Sequence, residues 1–241
     1  MTYTESIEEK PYGWVIVAVS TLSMAFAFGA NLTVSVLINP FESEFGWSRA
    51  EVSMAYTILA IGGAIGGLVW GGLSDRIGAQ KISFIGGVTL SVSLVLISFQ
   101  SELWAIYLLY FLIGGVGFAC LFTPLLALTG LWFSQRKGMA IGIVTAGGAI
   151  GQGVIPFVLR LMTSTWGWRD AMLILGITYF VLLVPALFLL KRPPVLTDPD
   201  KNISTSNDNL WGISHKISIP WLAFAGIFCC ISMAVPLVHL V

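Results

Sequence analysis

Charge is scarce in this chain. Asp, Glu, Lys and Arg make up 10% of its 241 residues, against about 25% in a typical soluble domain. The 12 cations balance the 12 acids, so there is no basic stripe to neutralise a phosphate backbone and no acidic tract to stay unfolded. Nucleic-acid binding and general disorder are thereby excluded. Cysteine is scarce as well: Cys120, Cys229 and Cys230 lie in apolar runs without C-x-x-C spacing, which suggests neither a disulfide framework nor a zinc site. What is abundant is apolar surface, 56% of residues before the 26 glycines are counted. That composition belongs to a polytopic membrane protein.

A hydrocarbon core of about 30 Å takes about 20 apolar residues at 1.5 Å rise. Runs of that size occur at 14–38, 52–73, 82–99, 103–128, 139–162, 171–190 and 220–241. The first follows Glu5, Glu8 and Glu9 and is too long for a cleaved secretory signal, so it is read as a helix that stays. Lysine and arginine set the orientation, because inner loops retain positive charge. With the N-terminus in the cytoplasm, the inner segments carry Lys10, Arg76, Lys81, Arg136, Lys137, Lys191, Arg192, Lys201 and Lys216, and the outer ones carry Arg49, Arg160 and Arg169. Tryptophans at the margins, among them Trp14, Trp47, Trp132 and Trp166, suit the interfacial belts.

The connections are short except one. Residues 191–219, rich in Pro, Asp, Asn and Ser, cannot bury a core and read as a cytoplasmic linker. The expected organisation is therefore a six-helix bundle over 1–190, the linker, and the start of a second bundle at 220–241. Six spans, a long inner linker and a new span is the layout of a two-half transporter, each half holding inverted repeats of three helices. On this reading the chain carries one half and a beginning, and is expected to be truncated, its partner half being the missing C-terminal one.

The span interiors are nearly empty of ionisable groups, which are the usual marks of coupling within a bilayer. Arg160 near the outer end of the fifth run and His239 in the seventh are the candidates for an outer-mouth charge. No placed acid, base and nucleophile converge, so an enzyme is not expected, and no metal or cofactor is expected. Gly151-Gln152-Gly153 lacks the spacing of a dinucleotide loop and no Walker lysine follows. The polar residues that interrupt the first, fourth and fifth runs, Asn31, Thr33, Phe122-Thr123-Pro124 and Gln152, are candidates for a substrate cavity, with packing between helices as the competing role. Pro124 removes a backbone donor and frees a carbonyl one turn earlier. Gly63, Gly67 and Gly71 repeat at four-residue spacing, as do Gly138 and Gly142, then Gly147 and Gly151. Such faces let helices approach closely.

Between the second and third runs stands Gly71-Gly72-Leu73-Ser74-Asp75-Arg76-Ile77-Gly78-Ala79-Gln80-Lys81. A short reversal there calls for a positive φ at Gly78, and Asp75 sits as an inner carboxylate among basic residues. Gly71, Leu73, Asp75, Arg76 and Gly78 resemble the signature loop of the major facilitator superfamily at the same place, while Ala79 and Gln80 stand where that family usually has a basic pair. Trp132-Phe133-Ser134-Gln135-Arg136-Lys137-Gly138-Met139-Ala140-Ile141-Gly142 resembles the entry to helix five in the monocarboxylate transporter group. The opening Tyr12-Gly13-Trp14 and the step Trp166-Gly167-Trp168-Arg169-Asp170 are similar to that group and to oxalate/formate carriers.

This resemblance implies an all-α membrane fold, the six-helix half of a twelve-helix bundle plus a seventh helix, and a secondary transporter in the plasma membrane. The expected cargo is a small organic anion, a carboxylate moved by proton symport or anion exchange through alternating access. The loop at Asp75 would act as a conformational switch, and the glycine faces of helices two and five would meet the second half. The alternative is a half-size membrane scaffold that transports nothing.

Overall fold

The computed structural model describes residues 11–133 and 135–191, together with Trp221, Phe224 and Phe228; at Asp75 only the backbone is described. The chain divides into two units, 1–194 and 195–241. In the second, Trp221, Phe224 and Phe228 are helical, with ring centroids 6.3 and 4.7 Å apart along one face. The linker beyond Lys191, the rest of the seventh run and His239 lie outside the described residues.

The described portion of the first unit is helical, with no strand among the described residues. Its elements are α1 (Tyr12–Asn31), α2 (Thr33–Phe45), α3 (Arg49–Ile77), α4 (Ala79–Ile97), α5 (Leu103–Leu112), a π-helical turn (Ile113–Phe118), α6 (Ala119–Trp132), α7 (Lys137–Trp166) and α8 (Trp168–Phe188). They form six segments long and apolar enough to cross a membrane, α1–α2 and α5–α6 each counting as one. The first continues to Phe45, well past residue 38. Asn39, Pro40 and Glu42 end the apolar run without ending the helix, because a proline deletes one backbone bond and the flanking turns persist. Gly46, at φ 70°, closes α2 with its N–H on Glu42 O. Two residues later Ser48 and Glu51 form a reciprocal capping box that starts α3.

Two irregularities interrupt these spans. At Leu32 (φ −91°, ψ 0°) the first span breaks, and the fully buried Thr33 hydroxyl donates to Ala30 O at 2.7 Å and lies 3.0 Å from the buried Tyr110 hydroxyl. In the fourth span the glycine-rich stretch Ile113–Phe118 widens into the π turn. There Gly115 O accepts the Trp70 indole N–H at 2.9 Å. Pro124 leaves Cys120 O without its helical donor, and Ser83 of α4 takes it at 3.3 Å. A neighbouring helix thus satisfies the carbonyl that the proline frees.

The bundle repeats itself. α1 packs against α7, α3 against α5 and the π turn, and α4 against α8. Exchanging spans one to three with four to six swaps the first two pairings and preserves the third, which is the arrangement of two three-helix repeats. The turns agree in detail. Gly78 (φ 102°, ψ 141°) alone separates α3 from α4, and Gly167 (φ 86°, ψ 163°) alone separates α7 from α8. Each glycine N–H bonds the carbonyl four residues back, Ser74 or Thr163, and each glycine carbonyl accepts from four residues on, Ile82 or Ala171. Both conformations lie where only glycine avoids strain. Two residues beyond each glycine a side chain crosses to the end of the opposing helix: Gln80 Nε2 donates to Phe188 O at 3.4 Å, and Arg169 Nη1 donates to Ser98 O at 3.1 Å.

The close approaches follow the same symmetry. A Cβ on Gly66 would run into Gly115 O, and one on Gly151 into Ala25 O, so these glycines let two helix pairs pack backbone to backbone. Gly62 and Gly147 do the same a turn earlier, against Phe111 O and Thr21 O.

Candidate functional site

The face shared by spans one, four and five is built from aromatic and amide groups. Phe28 of α1 lies edge-on to Phe118 (5.0 Å) and Phe122 (5.8 Å), and these two, one helical turn apart, stack at 5.3 Å. The Phe28 ring is set by α7, where the missing Cβ of Gly148 leaves room for it. Asn31 follows Phe28 at i+3 and Gln152 follows Gly148 at i+4, so both amides lie one turn further along the same seam. The Asn31 Oδ1 is buried and has no hydrogen-bond partner among the described residues. This wall can stack against an apolar or planar group and can accept or donate neutral hydrogen bonds. It holds no cation to neutralise a carboxylate.

The remaining sequence candidates fall elsewhere. Thr33 is fully buried and its hydroxyl is engaged at the span-one break, so it faces helix packing rather than a cavity. The Thr123 methyl points to Gly71 of α3, 3.5 Å from where a Cβ would stand. Gly71 therefore makes an ordinary contact. Gly63 is similarly in loose contact, and Gly67 and Gly142 have nothing within 4 Å, whereas Gly147 and Gly151 are packed against α1. The glycine stripes of α3 and α7 thus each split into a packed edge and an open edge. Arg160 is exposed near the end of α7. Leu73, Arg76 and Gly78 lie at the α3–α4 junction, while the role expected of the Asp75 side chain, like that of His239, falls outside the described residues.

The two ends of the bundle differ in charge. The end carrying Tyr12 has Arg76, Lys81, Arg136, Lys137 and Lys191, with Asp75, expected in a loop but placed in the last turns of α3, as the acid among its described residues. There the Tyr12 hydroxyl donates to Leu189 O at 2.6 Å, and the Lys191 ammonium lies 4.7 Å from the Tyr12 ring centroid. The opposite end mixes both signs. Arg169 Nη2 meets Glu44 Oε1 at 2.8 Å, the other Glu44 oxygen accepts the Trp168 indole N–H, and the guanidinium lies 4.5 Å from the Trp168 ring. Phe41, Phe45 and Trp47 pack round this pair. It ties α2, which follows the break at Leu32, to α8 and to the end of α4. Sequence reading treated Trp168 and Arg169 as a family-like step and missed Glu44, whose partner lies 125 residues away. Phe28 and Phe118 were missed because their neighbours come from other helices; the i, i+4 pair Phe118 and Phe122 was the available signal.

Six spans arranged as two inverted triplets, with close-packing glycines and a neutral polar seam, define a polytopic membrane bundle built from inverted repeats. Residues 18–241 match the Major Facilitator Superfamily, and the chain belongs to that family. It is 31% identical over 199 residues to human "Monocarboxylate transporter 12", covering 79% of this chain and 37% of that protein. It is 32% identical to zebrafish (Danio rerio) "Monocarboxylate transporter 12-B", covering 78% and 39%, and 27% identical to "Monocarboxylate transporter 2" of Mesocricetus auratus, covering 81% and 40%. The chain spans about two fifths of the length of these relatives. A crystal structure of a bacterial homologue of the human lysosomal transporter Spinster, inward-facing and unoccupied, superposes with a TM-score of 0.68 at 18% identity, covering 77% of this chain and 44% of that one. This likeness concerns the fold.

Proposed function

We propose that this chain is the N-terminal half of a secondary transporter that moves a small carboxylate by alternating access, coupled to protons or to a counter-anion. The observation that carries the reading is the repeated bundle with its matched Gly78 and Gly167 turns, in a chain whose relatives are named monocarboxylate transporters. The seam of Phe28, Asn31, Phe118, Phe122 and Gln152 forms this half's wall of the central cavity. Since the wall is uncharged, the cation that holds the carboxylate comes from the second half, which begins after the linker at 191–219. The open glycine edges, Gly67 on α3 and Gly138 and Gly142 on α7, are where that half slides during the change of access. Asp75, in the last turns of α3, biases the equilibrium between the two states.

The charge asymmetry supports a cytoplasmic Tyr12 end, and the proposal places the protein in the plasma membrane. In intact cells a cysteine at Lys81 resists an impermeant thiol reagent and one at Ser101 reacts; the reverse pattern would overturn the orientation. For transport, proteoliposomes holding the complete transporter take up labelled lactate, pyruvate, formate or oxalate saturably, under an inward proton gradient or against internal anion. Uptake of neutral solutes with indifference to all carboxylates would defeat the proposal.

A further inference from the structure

One cavity is used by nothing described so far. It has a volume of 330 Å³ and opens at the Tyr12 end of the first unit, where the α3–α4 turn, α6 and Lys191 meet. Its polar wall is formed by Ser74, Arg76, Gln80 and Lys191, and its apolar wall by Leu128 and Leu131 among others. Two of the four polar groups are already engaged. The Ser74 hydroxyl donates to Gly71 O at 2.9 Å, and the Gln80 amide donates to Phe188 O. Neither cation is paired with an acid among the described residues. Lys191 lies over the Tyr12 ring, a contact that leaves its charge in place, and Arg76 makes no hydrogen bond or ion pair among the described residues. Two like charges that border one cavity repel each other, and a shared anion removes that repulsion. A guanidinium fork matches the oxygens of a phosphate and an ammonium adds a second point of attraction.

The apolar wall decides which kind of anion. Leu131 is 68% exposed, so the cavity's apolar wall ends in an exposed apolar side chain at the end of a membrane span. That is the level at which phospholipid headgroups sit, with their acyl chains running along the span. A soluble phosphate would use the cations and leave the apolar wall bare. We propose that this cavity binds one anionic phospholipid, its phosphate held between Arg76 and Lys191 and an acyl chain lying along Leu131. The inference rests on the membrane-spanning fold and is independent of the carboxylate reading.

The test uses the intact protein in detergent with added phosphatidylglycerol or phosphatidylcholine, bound lipid being counted by native mass spectrometry. Phosphatidylglycerol is retained in preference to phosphatidylcholine. Each cation near a lipid surface is worth about fivefold in affinity, so Arg76→Gln and Lys191→Gln each weaken retention about fivefold or more, while Lys81→Gln, outside the cavity, leaves it unchanged. Arg76→Lys keeps the charge and loses the fork, and falls between. Should Arg76→Gln fail to fold, Arg76→Lys and Lys191→Gln carry the comparison. Leu131→Ser weakens retention of phosphatidylglycerol. Equal retention of the two lipids, indifference to both cation variants, or displacement of the lipid by inorganic phosphate at sub-millimolar concentration would overturn the proposal.

Discussion

Neighbouring glycines on α3 have opposite surroundings, which makes Gly66→Ala and Gly67→Ala a sharp comparison. A Cβ on Gly66 would collide with Gly115 O and stand 2.8 Å from Gly115 C and 2.9 Å from the Ala119 Cβ. The obstacles are mostly backbone, which cannot rotate aside, so α3 and the π turn must separate by on the order of 1 Å to restore ordinary contact. Overpacking of this kind costs about 1–3 kcal/mol. The same Gly115 carbonyl accepts the Trp70 indole at 2.9 Å, and stretching that bond adds about 1 kcal/mol. Alanine recovers about 0.5–1 kcal/mol through its better helix propensity, leaving a net loss of about 1–3 kcal/mol. Gly67 has nothing within 4 Å, so there the propensity gain of about 0.5–1 kcal/mol stands alone. The two substitutions, one residue apart and chemically identical, should differ by about 2–4 kcal/mol. Reversible unfolding of the chain in mixed micelles, titrated with dodecyl sulfate, measures this directly. Equal effects at the two sites would refute the packing argument. If the open edge is where the second half slides, Gly67→Ala also lowers transport by the complete protein while leaving this bundle at least as stable.

Three further outcomes follow from the geometry. Gly78→Ala and Gly167→Ala should each cost about 1–3 kcal/mol through backbone strain, and by similar amounts because the two turns match; a loss at one site alone, by thermal unfolding, would break the equivalence of the repeats. Thr33→Val leaves the buried Tyr110 hydroxyl without its partner and should cost about 1–3 kcal/mol, with Tyr110→Phe relieving some of that loss; strict additivity in the double-mutant cycle would show that the two hydroxyls do not interact. Glu44→Gln and Arg169→Gln act on a pair about 40% exposed, so the coupling between them, measured in the same kind of cycle, should be no more than about 1 kcal/mol; a coupling of several kcal/mol would mean the pair is far less solvated than its exposure indicates.

The sequence by itself determined the membrane character and the number and approximate position of the six spans now described. Hydrocarbon accepts only a backbone that satisfies itself, so twenty-residue apolar runs have one outcome. It also offered Gly78 as a position able to take a positive φ, and the one-residue turn between α3 and α4 uses it. The signature residues round Asp75 were enough to indicate the superfamily. Span ends were harder: the helix runs through Asn39, Pro40 and Glu42 because a helix end depends on capping partners such as Gly46 and Ser48, not on where hydropathy falls. Tertiary structure alone decided which edge of each glycine stripe is packed, because adjacent residues such as Gly66 and Gly67 point about 100° apart round the helix and composition does not record rotation. It alone showed that Thr33 bonds Tyr110 and that Glu44 meets Arg169, contacts between residues 77 and 125 positions apart. It alone brought Phe28 to Phe118 and set an uncharged wall between spans one, four and five. Local sequence decides which segments are helices, through bonds made within each segment; the faces those helices turn to one another are chosen by packing among all six together.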